Sequence, residues 1–470
     1  MPIERTNPNS REDKMSSVNQ AIEFAKSNHA RYLSELKEIM AIPSVSTLPA
    51  HKADMQRAAE WLSHQLTGMG FKNVAIMPTG GHPVVYGELL NAPGKPTVLI
   101  YGHYDVQPAD PLNEWVTPPF EPTVRGDNIY ARGASDMKGQ IHGALKAIEA
   151  LVKNGGVPIN LKVMVEGEEE LGSPNLGAFI AQNRDKLKCD FMLNCDSGIT
   201  RPDLPSIVYG LRGLAYFEIW VHAPQHDLHS GLFGGSIHNP AQALCELVAG
   251  MHDADGHITL PGFYDKVKVW SEEERAELAR VPHSDDEWLK MTGVPQLHGE
   301  KGYTTLERLG TRPTLEVNGL LSGFTGEGIK TVLPAKAMAK ISMRLVPYQD
   351  PVEVEQQLKE YMHRHAPKTI RWEVKAMGTA TPMLVERDTP GMKAAITALK
   401  ETFGVEPVFK LEGGTVPVVN MVKTQLDVDS VQLGFGLPDD NFHGPNEKLH
   451  LPNYRRGIEA YIRFFDLIAK

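Results

Sequence analysis

Two histidines and several carboxylates fall at the ends of strand-like runs, where they could hold metal ions. Thr97-Val98-Leu99-Ile100-Tyr101 is short, apolar and β-branched, which predicts a buried strand. Gly102 permits a turn, and His103 and Asp105 follow at the strand's carboxyl end. Ligands collect at that edge of open α/β sheets. The pattern recurs. The run 161–165 leads into Glu166, Glu168, Glu169 and Glu170, the run 191–195 leads into Asp196, and 431–435 leads toward His443. Between the first two lies the loop 131–139, which carries Asp136. A mixed set of imidazoles and carboxylates suits Zn2+ or Mn2+ better than a thiolate-loving metal. Its size points to a two-metal site.

Taken singly, each residue has a plainer explanation. His103 could be a hydrogen-bonded core histidine, Asp136 a turn or cap residue, and 166–170 a solvated acidic loop. Together they resist that explanation, because an acidic run directly after a buried strand is costly without a cation. His103 and Asp105 are two apart, so in an extended segment they point the same way. A carboxylate beside a metal-binding histidine commonly fixes its tautomer. Adjacent Glu169 and Glu170 could divide two tasks, one as ligand and one as base.

The elements that must position these groups alternate. Residues 21–40 have a helical period stopped by Pro43, and 58–68 form a second helix. Strands and helices alternate to about residue 208, with a helix over 140–152. This implies a mainly parallel sheet with helices on both faces. The middle differs. Strands at 214–222, 313–317, 337–346 and 369–376 and helices at 239–251 and 351–365 follow the order β-α-β-β-α-β, a ferredoxin-like unit. A charged, Pro/Gly-rich insertion over 253–310 interrupts it and shows no clear element pattern. The α/β pattern resumes with a helix at 391–403, strands at 407–411 and 431–435, and a closing helix at 454–469. The expected organisation is an α/β catalytic domain (1–209 and 386–470) interrupted by a smaller α+β domain (210–385).

Composition narrows the function. The 470 residues exceed what one core usually serves. The net charge of −10, from 48 basic and 58 acidic residues, argues against a nucleic-acid or anionic-membrane partner. No run has the apolar length of a membrane span, and residues 1–20 carry no signal-peptide core. Cys189, Cys195 and Cys245 match no zinc or disulfide framework, so they read as core packing in a reducing cytoplasm.

Longer motifs are more specific: GHYDVQP from Gly102, RGASDMKG from Arg132, EGEEELGS from Glu166 and DLHSG from Asp227. With these the chain resembles the M20 metallopeptidases, in particular the dipeptidase branch, over nearly its whole length. The resemblance implies a zinc-peptidase-like fold with a lid and dimerisation domain, and two divalent ions per subunit. His103 and Asp196 would bind one ion, Glu170 and His443 the other, and Asp136 both. Glu169 would be the general base, and Asp105 would orient His103. The peptide after Asp136 would be cis. His229 would reach the active site of the other subunit in a homodimer, and Arg344, Thr331 and Thr415 would contact substrate. Alone, His229 reads as a surface histidine and Arg344 as a surface ion pair. The segment Lys410-Leu411-Glu412 lacks an arginine seen in some animal relatives, and Gly444 also differs from them, which leaves fine substrate preference open. The implied activity is cleavage of dipeptides or short peptides with a free C-terminal carboxylate. An N-acyl-amino-acid deacylase, a carboxypeptidase or a silent peptide-binding protein are the alternatives.

Overall fold

A computed structural model describes residues 16–413 and 417–470. Six strands form the main sheet, in the spatial order Lys72–Met77, Val84–Leu89, Asn160–Glu166, Thr97–His103, Phe191–Asn194, Ser430–Gln432. The last four are mutually parallel, so their carboxyl ends lie side by side. The first two add an antiparallel edge, which residue patterning alone did not resolve. The four parallel strands are those whose ends carry the candidate ligands.

Helices cover both faces. Register puts Gly87, Val163, Val165 and Gly102 on one face. A Cβ at Gly87 would meet Leu66 of the helix Lys52–Gly68, and one at Gly102 would meet Met137 and Ile141. Tyr86 and Lys162 point the other way, where they hydrogen-bond to the carbonyls of Lys186 and Lys188. The helix Lys138–Lys153 is buried along most of its length. A second layer covers it, formed by Ser17–Ser27, His29–Met40 and Leu451–Ile468. Those first two helices correct the expected single helix over 21–40. Asn28 breaks it by turning its side-chain amide onto the Phe24 carbonyl, 2.8 Å away, in competition with the backbone ladder.

The inserted unit is the expected β-α-β-β-α-β. Its antiparallel sheet has the order Thr314–Ser322, Lys336–Leu345, Gly213–His222, Arg371–Ala380. Gly213–His222 alternates buried and half-buried positions throughout, as a sheet with one covered face requires. Both covering helices, Pro240–Ala249 and Pro351–His365, begin with proline after a capping side chain. Asn239 accepts from the Ala241 N–H at 2.9 Å, and Asp350 from Val352 N–H at 2.7 Å. A core around Phe217, Ile219, Ile341 and Leu358 is separate from the main core.

The insertion, obscure in sequence, contains the helices Glu272–Leu278, Asp285–Thr292 and Thr305–Gly310. Leu278 and Val281 pack with Val408 of the strand Val408–Glu412, so this segment of the inserted unit leans on the α/β body. Cys195 is buried and Cys189 half-buried, but Cys245 is exposed; the core-packing reading fails there because it sits on the outer side of its helix.

Gly139 lies in the first turn of the helix after the Asp136 loop, and a Cβ there would overlap the Ala134 carbonyl oxygen and Leu449. Backbone and core side chain cannot both yield cheaply. Gly139→Ala should therefore destabilise the protein by about 1–3 kcal/mol, read as a lower melting temperature. An unchanged melting temperature would show that the loop has room.

Candidate metal centre

The parallel strand ends deliver their side chains to one cleft. Thr97–His103 ends at His103, which is fully buried. Its Nε2 lies 3.0 Å from Asp136 Oδ1 and 3.8 Å from Asp196 Oδ2. Its Nδ1 faces the Asp105 backbone carbonyl at 3.0 Å and that residue's carboxylate at 3.4 Å. The loop after Asn160–Glu166 supplies Glu170, and the segment after Ser430–Gln432 supplies His443, whose Nε2 lies 3.0 Å from Asp136 Oδ2 and 3.2 Å from Glu170 Oε2. Potential ligand atoms thus form two sets, His103/Asp136/Asp196 and Asp136/Glu170/His443, each with its members within 4.8 Å of one another. Asp136 belongs to both, one oxygen toward each histidine. The Asp136-Met137 peptide is cis.

Asp105 does more than the motif implied. Its carboxylate accepts the backbone N–H groups of Glu169 at 3.2 Å and Glu170 at 3.0 Å. It therefore ties the His103 strand end to the next one. Glu166 and Glu168 face elsewhere. Glu166 accepts from the Tyr101 hydroxyl at 2.6 Å, and Glu168 from the Asn175 amide at 2.9 Å. Only the last two glutamates of the run turn to the cleft. Gln107 donates to Glu170 Oε2 at 2.8 Å and steadies it.

The charges respond to this crowding. Burial opposes the charge on Asp136, but hydrogen bonds from His103 and His443 outweigh it and hold the carboxyl below the usual range. Burial would lower His103; its contacts to Asp105 and Asp136 raise it instead. Contacts to Asp136 and Glu170 raise His443 to about 10. Burial first, then the Asp136 charge, push Asp196 well up. Glu169 is pushed up to about 7 by burial, with Glu170 and Asp136 adding to it against the pull of His103.

Three partners of the site went unread in the sequence. Glu447 is fully buried and salt-bridged to Arg132 at 2.8 Å. Asp440 accepts from the Ser135 hydroxyl at 2.7 Å. Lys138, also fully buried, donates to the Ile42 carbonyl at 2.5 Å, and burial brings it down to about 7. The signal was available for Lys138, which lies inside the RGASDMKG motif, but sequence does not say which way a side chain turns.

The cleft, about 430 Å³, is lined by Asp136, Glu169, Asp196, His443, Lys410 and Glu412 among others. None of its described lining residues comes from 210–385. His229 and Thr331 lie together instead on a small two-stranded ribbon of that unit, Leu228–His229 against Val332–Leu333, with Ser230 N–H donating to the Thr331 carbonyl. His229 is exposed, and its Nδ1 accepts the Gly231 N–H at 3.0 Å. Arg344 is half-buried in the strand Lys336–Leu345. Thr415 lies outside the described residues.

A parallel sheet edge bearing this donor set is the mark of a hydrolase with a metal centre, and relatives agree. Residues 99–466 match the model of peptidase family M20/M25/M40. Cys-Gly metallodipeptidase DUG1 of Candida albicans is 32% identical over 463 residues, covering 93% of this chain and 94% of that one. Human Beta-Ala-His dipeptidase is 30% identical, covering 92% and 89%. Among solved structures, an M20 family metallo-carboxypeptidase from Sulfolobus solfataricus, Sso-CP2, superposes with a TM-score of 0.80 at 35% identity, covering 93% of this chain and 99% of its own. The chain belongs to peptidase family M20/M25/M40 and is a peptidase. No helix among the described residues is long and apolar enough to cross a membrane.

An acid whose pKa is raised on folding, here from 4.5 to about 7, costs nothing while protonated and destabilises once ionised. Glu169→Gln removes that cost. Kept free of metal, the variant should be more stable than wild type at pH 8, by about 1–3 kcal/mol, and the gain should shrink as the pH falls toward 5. A variant that melts at or below wild type at pH 8 would remove the case for strain at Glu169.

Proposed function

We propose that the chain is a dinuclear metallodipeptidase that cleaves dipeptides and short peptides bearing a free C-terminal carboxylate. The observation that carries this is the Asp136 carboxylate, whose two oxygens face His103 and His443 at 3.0 Å each. His103 and Asp196 would hold one ion, Glu170 and His443 the other, with Asp136 shared. The donors fit Zn2+ or Mn2+: two imidazoles and three carboxylates, and no thiolate. Such ions supply Lewis acidity and make a water acidic near neutral pH.

The chain's own groups do the rest. Glu169 takes the proton of the attacking water and returns it to the leaving amine; a carboxyl near 7 serves as base and acid at neutral pH. Asp105 keeps Glu169 and Glu170 in register with His103. With its Nδ1 accepting from Gly231, His229 carries its proton on Nε2 and can donate to the oxyanion. Arg344, with Thr331 and Thr415, holds the substrate carboxylate, a task suited to a planar guanidinium.

His229 acts, in this reading, on the neighbouring subunit of a homodimer built through the lid domain, 210–385, while 1–209 and 386–470 form the catalytic domain. The sheet edge Thr314–Ser322 supports such a contact, because Val317, Leu320 and Leu321 are exposed there. Three cysteines without a disulfide support a cytoplasmic setting. That Sso-CP2 is a carboxypeptidase favours one second reading, action on longer peptides at the same centre.

The first test strips the protein with a chelator and restores Zn2+ or Mn2+. Amino-acid release from dipeptides should disappear and return, with little release from N-acetyl amino acids or longer peptides. Preference for the acylated or longer substrates would move the function to a deacylase or carboxypeptidase. Silence on all of them with metal bound would leave a peptide-binding protein. A second test mixes Glu169→Gln and His229→Ala protomers, each inactive alone. Heterodimers should regain up to about half the wild-type activity per dimer, because one of the two sites then has both intact groups. No recovery in verified heterodimers would exclude action in trans.

A further inference from the structure

The buried carboxylate of Glu447 has no place in the reaction described above, yet it holds the part of the chain on which both ligand sets depend. It accepts four hydrogen bonds. Oε1 takes the backbone N–H groups of Ser135 at 2.9 Å and Asp136 at 3.0 Å. Oε2 takes the Gly133 N–H at 2.9 Å and Arg132 Nη1 at 2.8 Å. The other guanidinium nitrogen of Arg132, Nη2, donates to the His443 carbonyl at 2.9 Å and the Pro108 carbonyl at 3.1 Å. One buried pair thus grips the loop that bears Asp136, the loop that bears His443, and the segment just after His103 and Asp105. Both side chains are essentially inaccessible to water.

We propose that Glu447, clamped by Arg132, is a positioning residue for the metal centre: it fixes the Asp136 backbone so that one carboxylate serves both ions, and fixes His443 through Arg132. This rests on the metal reading given under the proposed function. Its physical basis is the acceptor geometry. A carboxylate presents two acceptor oxygens to a concave row of three N–H groups and a guanidinium. An amide of the same shape can keep one oxygen there, but its NH2 must then face other donors. Glutamine is therefore a near-isosteric replacement that breaks the cradle on one side. Lysine at 132 keeps the positive charge toward Glu447 but loses the fork that also reaches His443.

The experiment measures Zn2+ affinity of the full-length, metal-stripped protein by titration against a chromophoric chelator, with thermal melts of the metal-free forms alongside. Wild type, Glu447→Gln and Arg132→Lys are compared with Glu300→Gln, which breaks a mostly buried ion pair to Arg312 that involves none of the candidate ligands. Glu447→Gln and Arg132→Lys should bind Zn2+ about 10–100-fold more weakly while remaining folded, and Glu300→Gln should bind like wild type whatever it does to the melt. Should Glu447→Gln fail to fold, Arg132→Lys decides the matter by the same readout. Wild-type affinity in the folded variants, or equal weakening by Glu300→Gln, overturns the positioning role. Failure of wild type to bind Zn2+ or Mn2+ overturns instead the metal reading beneath it, so the two failures are distinct.

Discussion

Asp105, Asp136, Glu169, Glu170 and Asp196 bring five carboxylates to one sheet edge, and containing their mutual repulsion is the constraint on which the rest depends. Two unit charges 4 Å apart in a partly buried setting interact by about 4 kcal/mol. Flexible loops would let such groups drift apart. Here each is attached within a few residues of a hydrogen-bonded strand end, or held by a buried partner. His103 and His443 flank Asp136, Gln107 steadies Glu170, and two backbone N–H groups donate to Asp105. The unequal responses of the acids follow. Asp136, between two imidazoles, is favoured as an anion, whereas Glu169 and Asp196 are not.

The parallel half of the sheet makes this possible. Parallel neighbours present all their carboxyl ends on one edge, so His103, Glu166 and Asn194 arrive within a few residues of one another. An antiparallel arrangement would send alternate ends to opposite sides. The double layer of helices over one face keeps the strand ends from shifting. Close packing at Gly102 and Gly139 ties the Asp136 loop and its helix directly to the sheet.

The candidate residues are divided between the two parts of the chain. The groups that could bind ions and move protons belong to the body, and His229, Thr331 and Arg344 belong to the inserted unit. The insertion qualifies a simple picture of a free lid. Leu278 and Val281 meet Val408, on the strand that also brings Lys410 and Glu412 into the cleft. Movement of the inserted unit would therefore be felt along that strand.

Much of this was legible in the sequence. Short, mainly apolar runs leading to His103, Glu166 and Asp196 marked strands and candidate ligands together, because a buried parallel strand needs apolar residues and a site needs polar ones just beyond. The ferredoxin-like unit was legible from its alternation and its proline-led, capped helices. The helix break at Asn28 was not, because the apolar period runs through it and the competing side-chain bond is purely local. Nor were the antiparallel edge strands, or the packing of the insertion. The sequence by itself determined which residues could be ligands and base, since chemistry resides in side-chain type and strand-end position. Only the tertiary structure decided that Asp136 stands between two histidines, that Glu166 and Glu168 turn away while Glu169 and Glu170 turn in, and that Glu447 accepts the Asp136 backbone N–H from more than three hundred positions along the chain. Those outcomes depend on side-chain direction and on contacts between distant segments, which local pattern does not encode.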